Sequence, residues 1–177
     1  DCPNGYVDVD VLRDVLMRFF PYGNAFPYAY HVFRTLDPKK KGEISFKEFL
    51  IWLSEMSRGT IETKLKWIFQ LYDINGDGFI TKKELSIIIN SIYTLLGKKS
   101  NAVDDKYIEE KTRKFFHRFD INSDGYISHN EFIAICRKVS TSEENFLISF
   151  NVTASVQSNQ FSMTNFIISF KIGKKSM

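Results

Sequence analysis

The chain has 177 residues, 44% of them hydrophobic, and carries 24 Lys and Arg against 21 Asp and Glu for a net charge of +3. That length and apolar content are enough to bury a core as one globular domain or two small lobes, and they exclude a compositionally disordered chain. So balanced a charge, with no basic arm or stripe, argues against a nucleic-acid partner, and no apolar run reaches the roughly 18 residues that a membrane helix requires.

In chain order, residues 1–12, "DCPNGYVDVDVL", keep only a central glycine, Gly5, and an apolar residue two places on, Val7, of a loop pattern that becomes clear further along. Pro3 falls inside this loop and Val11 at its closing position. The helix that would enter it is absent, and an opening at Asp1 without an initiator Met predicts a further amino-terminal segment. Next, "YAYHVFRTL" has helical spacing of its apolar residues and leads into "DPKKKGEISFKE" (37–48), which "SFKEFLIWLSEM" follows as a second helix. "SRGT" (57–60) then divides this pair of units from the next. "IETKLKWIFQLY" and "KKELSIIINSIYTLL" flank "DINGDGFITKKE" (73–84), and a polar connection, 97–106, leads to "YIEEKTRKFFHRF", "DINSDGYISHNE" (120–131) and "HNEFIAICRKV". The repeating unit is helix, loop, helix, so the class is all-α. After about Ser140 the pattern ends in a Ser, Asn and Thr tail with Phe and Ile, for which a short helix near 143–150 and otherwise a mobile segment are expected. The expected organisation is an N-terminal lobe over 1–58, a C-terminal lobe over 59–140 and the tail over 141–177.

Calcium takes about six to eight oxygens at about 2.3–2.6 Å, and a twelve-residue loop presents them at positions 1, 3, 5, 7, 9 and 12. In the third unit Asp73, Asn75 and Asp77 offer side-chain oxygens, Phe79 its carbonyl, Thr81 a hydroxyl acting through water, and Glu84 a bidentate carboxylate. The fourth repeats the set with Asp120, Asn122, Asp124, Tyr126, Ser128 and Glu131. Gly78 and Gly125 occupy position six, where the chain turns sharply, and Ile80 and Ile127 at position eight are expected to pair as a short antiparallel β contact. Two Ca2+ sites follow, with Mg2+ able to occupy a loop at rest.

The lysine loop, 37–48, is expected to bind nothing. Lys39 and Lys41 put ammonium groups at positions three and five, and each unit charge at about 5 Å from a neighbour of like sign costs roughly 1 to 3 kcal/mol at effective dielectrics of about 20 to 80. Asp37, Gly42, Ile44 and Glu48 remain, so the loop is expected to keep its shape and its β contact without metal.

Taken together, "CPNG", "FFPYGNAFPYAYHVFRTLD", "SRGT", "KLKWIFQLYDINGDGFITKKEL" and "SIYTLLG" resemble the neuronal calcium sensor family over about residues 1–140. The resemblance implies two paired EF-hand lobes with an apolar groove that takes an amphipathic helix from a membrane protein. Within the family, "KLKWIFQLYDIN", "SIY" and "EFIAICRK" are most similar to the Kv channel-interacting proteins, which implies a cytosolic subunit holding the amino-terminal segment of an A-type potassium channel. The frequenin, hippocalcin and recoverin branch is the alternative, acting on a kinase, cyclase or receptor at the membrane; a calcium buffer is a third reading. The chain departs from the family pattern at Lys39 and Lys41, in its net positive charge and after Ser140.

No nucleophile, base and orienter constellation is present, so no enzyme activity is expected. His31, His117 and His129 lack partners at metal-ligand spacing and are expected on the surface. Trp52, Trp67, Phe19, Phe20, Phe33, Phe49 and Phe69 fall on apolar faces, where core and groove are both open readings. Cys2 and Cys136 lie far apart without metal spacing, which points to reduced thiols and a cytoplasmic setting. The lysine run 39–41 reads as a solvated face that could add attraction to the anionic inner face of the plasma membrane.

Overall fold

The computed structural model describes residues 5–97 and 105–139. The tail after 139, its expected helix near 143–150, and most of the 97–106 connection lie outside these residues.

Seven helices and four two-residue strands follow one another over the described residues: β1 (Tyr6–Val7), α1 (Val9–Phe19), α2 (Phe26–Leu36), β2 (Ile44–Ser45), α3 (Phe46–Arg58), α4 (Ile61–Tyr72), β3 (Phe79–Ile80), α5 (Lys82–Leu95), α6 (Asp105–Phe119), β4 (Ile127–Ser128) and α7 (His129–Val139). The strands pair antiparallel as β1 with β2 and β3 with β4, placing Val7 opposite Ile44 and Ile80 opposite Ile127. These four position-eight residues are all buried, so each pair of loops is joined by a ladder whose side chains enter the core.

The division at "SRGT" is narrower than expected. Ser57 and Arg58 complete α3, and only Gly59 and Thr60 lie between it and α4, with the Thr60 hydroxyl accepting from the Thr63 N–H at 3.2 Å to start the new helix. At the other boundary α6 begins at Asp105, inside the expected connection, with an acid in its first turn where the helix dipole favours it.

Buried side chains from both pairs of units form a single hydrophobic cluster running from Val7 to Cys136. Of the seven aromatics that could have lined a groove, Phe33, Phe49, Trp67 and Phe69 are buried in this core, and Phe19, Phe20 and Trp52 pack partly buried against it. These seven side chains are therefore spent on packing here: Trp52 lies 5.8 Å from Phe49 and 5.5 Å from Trp67 between ring centroids. At the junction Gly23 passes so close to the end of α5 that a side chain would collide with the Leu95 carbonyl, while the Asn24 N–H donates to the Thr94 carbonyl at 3.0 Å.

His31 departs from its expected surface position. It is half-buried on α2 with Nδ1 unpaired, and burial followed by the Arg34 charge pulls its pKa down to about 4. His117 and His129 are exposed, as expected. Cys136 is a free, buried thiol, which burial pushes up to about 12. No helix among the described residues is long and apolar enough to cross a membrane.

Candidate metal centre

All four loops enter their second helix through the same cap. The position-nine oxygen of Asp8, Ser45, Thr81 or Ser128 accepts from the N–H three residues on, at 2.9, 3.2, 3.2 and 3.3 Å. In the last three, the position-twelve carboxylate answers by accepting from the position-nine N–H, at 2.8 Å for Glu48 and 2.9 Å for both Glu84 and Glu131. This reciprocal pair is a capping box. Val11 has no carboxylate to return, so the first loop has only half of it. Glu48 therefore has a structural task that needs no ion.

The second carboxylate oxygen separates the good loops from the lysine loop. Glu84 Oε1 accepts from the Ile74 and Asn75 N–H groups, both at 3.1 Å, and Glu131 Oε1 from Ile121 and Asn122 at 3.0 and 3.3 Å. These bonds fold the closing glutamate back over the start of its loop. In the lysine loop the position-two donor is missing, because Pro38 has no N–H to offer.

Around the opening acids the N–H groups converge in the same way. Asp73 accepts from Gly76, Asp77 and Gly78 at 2.8, 3.2 and 2.9 Å, Asp120 from Asp124 and Gly125, each at 3.1 Å, and Asp37 from Gly42 at 2.7 Å. Asn75 reaches Asp77 at 2.7 Å and Asn122 reaches Asp124 at 2.8 Å through their amide nitrogens. Three loops share one backbone: position six is at φ +82 in Gly42 and +89 in Gly78 and Gly125, and position four is at φ 52, 75 and 58 in Lys40, Gly76 and Ser123. A positive φ resists any residue with a Cβ.

The twelve predicted ligand residues thus lie in two loops of equal geometry. Their environments differ. Asp73 and Glu84 are buried, whereas Asp120 and Glu131 are partly exposed. Burial works against the Glu131 charge, but hydrogen bonds from Ser128, Asn122 and Ile121 outweigh it and hold the carboxyl below its ordinary range. In the lysine loop the Ser45 hydroxyl and N–H hold Glu48 low, with Lys41 and Lys39 adding to the effect. Among the described residues no three His, Cys, Asp or Glu side chains form a ready-made cluster. The donor set instead mixes carboxylates with amide, hydroxyl and carbonyl oxygens, a hard, all-oxygen set that fits Ca2+ and no soft metal. Phe79 and Tyr126 turn their rings outward, edge to face at 6.0 Å, which leaves their backbone carbonyls as the only donors at position seven.

Sequence reading missed Arg34. From the last turn of α2 it reaches the carbonyl oxygens of Gln70, Leu71, Asp73 and Ile74, at the end of α4 and the start of the third loop. Nothing local to "HVFRTL" signals a contact 36 to 40 residues away.

Residues 62–137 match the family model of an EF-hand domain pair, and residues 28–55 match a second EF-hand domain-pair model. The chain is an EF-hand protein. It is related to S-modulin of Aquarana catesbeiana, with 38% identity over 108 residues that cover 61% of this chain and 52% of S-modulin. The chain thus spans about half the length of that curated relative. EF-hand pairs imply Ca2+ binding, and the calcium-sensor family of S-modulin is non-enzymatic.

Proposed function

We propose that the chain is a calcium sensor of the recoverin and S-modulin type, taking two Ca2+ ions, at Asp73–Glu84 and Asp120–Glu131, and none at the lysine loop or the first loop. The observation that carries this is the matched pair of second-half loops: the same donors, the same backbone, and one ladder through Ile80 and Ile127 joining them. S-modulin is a recoverin-type neuronal calcium sensor, which favours that branch over the channel-subunit reading, whose support is the motifs alone. A sensor needs a receiving surface, and an amphipathic helix of a membrane-associated protein is the occupant this class of fold is suited to.

Calorimetric titration of the metal-free protein tests the metal assignment. Two ions per chain are expected, falling to one with either Glu84→Gln or Glu131→Gln. Glutamine keeps the capping box and removes only the bidentate carboxylate, so helix starts survive the change. A stoichiometry of three, or two unchanged titrations, would refute the assignment.

A further inference from the structure

Arg34 joins the two pairs of units at a point the donor set does not explain. Its Nη1 donates to the Asp73 and Ile74 carbonyls at 3.1 and 2.8 Å, and its Nη2 to those of Gln70 and Leu71 at 2.9 and 3.1 Å. The last carbonyls of a helix have no partner within it, and a planar guanidinium fork can serve several at once. Asp73 and Ile74 are positions one and two of the third loop, so one side chain clamps the end of α4 and the start of the loop together. The neighbouring residue fastens the same junction, with Trp67 Nε1 donating to the Thr35 hydroxyl at 2.9 Å. Asp73 is also the more buried of the two opening acids.

We propose that Arg34 is a positioning residue for the third calcium loop: it holds Asp73 in place before an ion arrives, so that the second unit, which has lost its own ligands, preorganises the metal site of the third. The proposal rests on the calcium assignment above and deepens it. Arg34 stands three residues before Asp37, so one helix carries both the clamp and the disabled loop. The second unit then has a use that does not require it to bind metal. A competing effect has the opposite sign. The Arg34 charge lies in the field of Asp73 and Glu84 and would repel a dication there. Two charge-assisted hydrogen bonds to the end of α4 and two to the first loop positions order the loop entrance, and that ordering outweighs a single screened repulsion.

The test uses the full chain with Glu131→Gln, which silences the fourth loop, and reads calcium affinity at the third by calorimetry. Arg34→Met and Arg34→Lys should each weaken it by about tenfold, lysine failing to rescue because a point charge cannot bridge four carbonyls. In a Glu84→Gln background the same two substitutions should leave the fourth loop within about twofold. Tighter binding in Arg34→Met with no change in Arg34→Lys would show that charge alone matters and overturn the proposal. Equal losses at both loops, with falling helical circular dichroism, would reduce Arg34 to general stability and overturn it too. If Glu131→Gln alone takes up no calcium, the third-loop assignment is refuted, and the proposal falls with it.

Discussion

His31 shows how a single side chain on α2 can be tuned by what it packs against. Its imidazole is half-buried with Nδ1 unpaired, and desolvation, helped by Arg34 one turn on, brings its pKa to about 4. A histidine in an unfolded chain titrates near about 6.5. Between those values the unfolded chain binds a proton that the folded protein refuses, so the His31 contribution is intact above about pH 6.5 and is lost as pH falls toward about 4. In the presence of chelator, His31→Gln should flatten the fall in thermal midpoint across this window relative to the parent chain; parallel profiles would show that the imidazole is solvated after all. Spacing in the sequence groups the twelve ligand candidates into two loops, because each loop is local and its template is dense. It misjudged His31 and passed over Arg34 for one reason. Burial and long-range acceptors depend on how α2 meets α4, which no window around residues 28–36 contains.

The helices and loops were the legible level. "IETKLKWIFQLY" and "HNEFIAICRKV" coincide with α4 and α7 because apolar periodicity runs through both and a hydroxyl cap marks each start, Thr60 for α4 and the position-nine Ser128 for α7. "SRGT" was read as a break, and half of it is helix, since Ser57 and Arg58 can continue α3 and only Gly59 interrupts it. The lysine loop is the instructive element. Its backbone follows the two good loops at positions four and six, its Ile44 pairs with Val7, and its capping box is complete. What it lacks is oxygen at positions three and five. If charge and donor chemistry are the whole defect, Lys39→Asn with Lys41→Asp should raise the calorimetric stoichiometry from two to three, the new site being weaker because Pro38 cannot donate to Glu48. A stoichiometry that stays at two would place the defect in the loop entrance at Pro38 rather than in the lysines.

At the scale of the whole molecule, the aromatic residues that could have formed an open groove are instead packed into one core shared by both pairs of units. A partner helix on a sensor of the proposed kind would gain apolar surface from part of that core if the helix pairs separate with calcium, as they do in EF-hand sensors. Apolar residues already at the surface include Phe26, Tyr30, Ile51 and Ile61, on α2, α3 and α4, where a widening cleft would extend them. A hydrophobic dye should therefore brighten with calcium and not with chelator; a signal indifferent to calcium would mark a buffer, whose helices barely move. The same opening decides between partners. Immobilised protein exposed to cytosolic and membrane extracts should capture its target only with calcium if it acts as a recoverin-type switch, and that target should be a kinase, cyclase or receptor component. Capture of a potassium channel's amino-terminal segment that persists in chelator would instead require a groove occupied at rest, and would overturn the switch in favour of a permanently bound subunit.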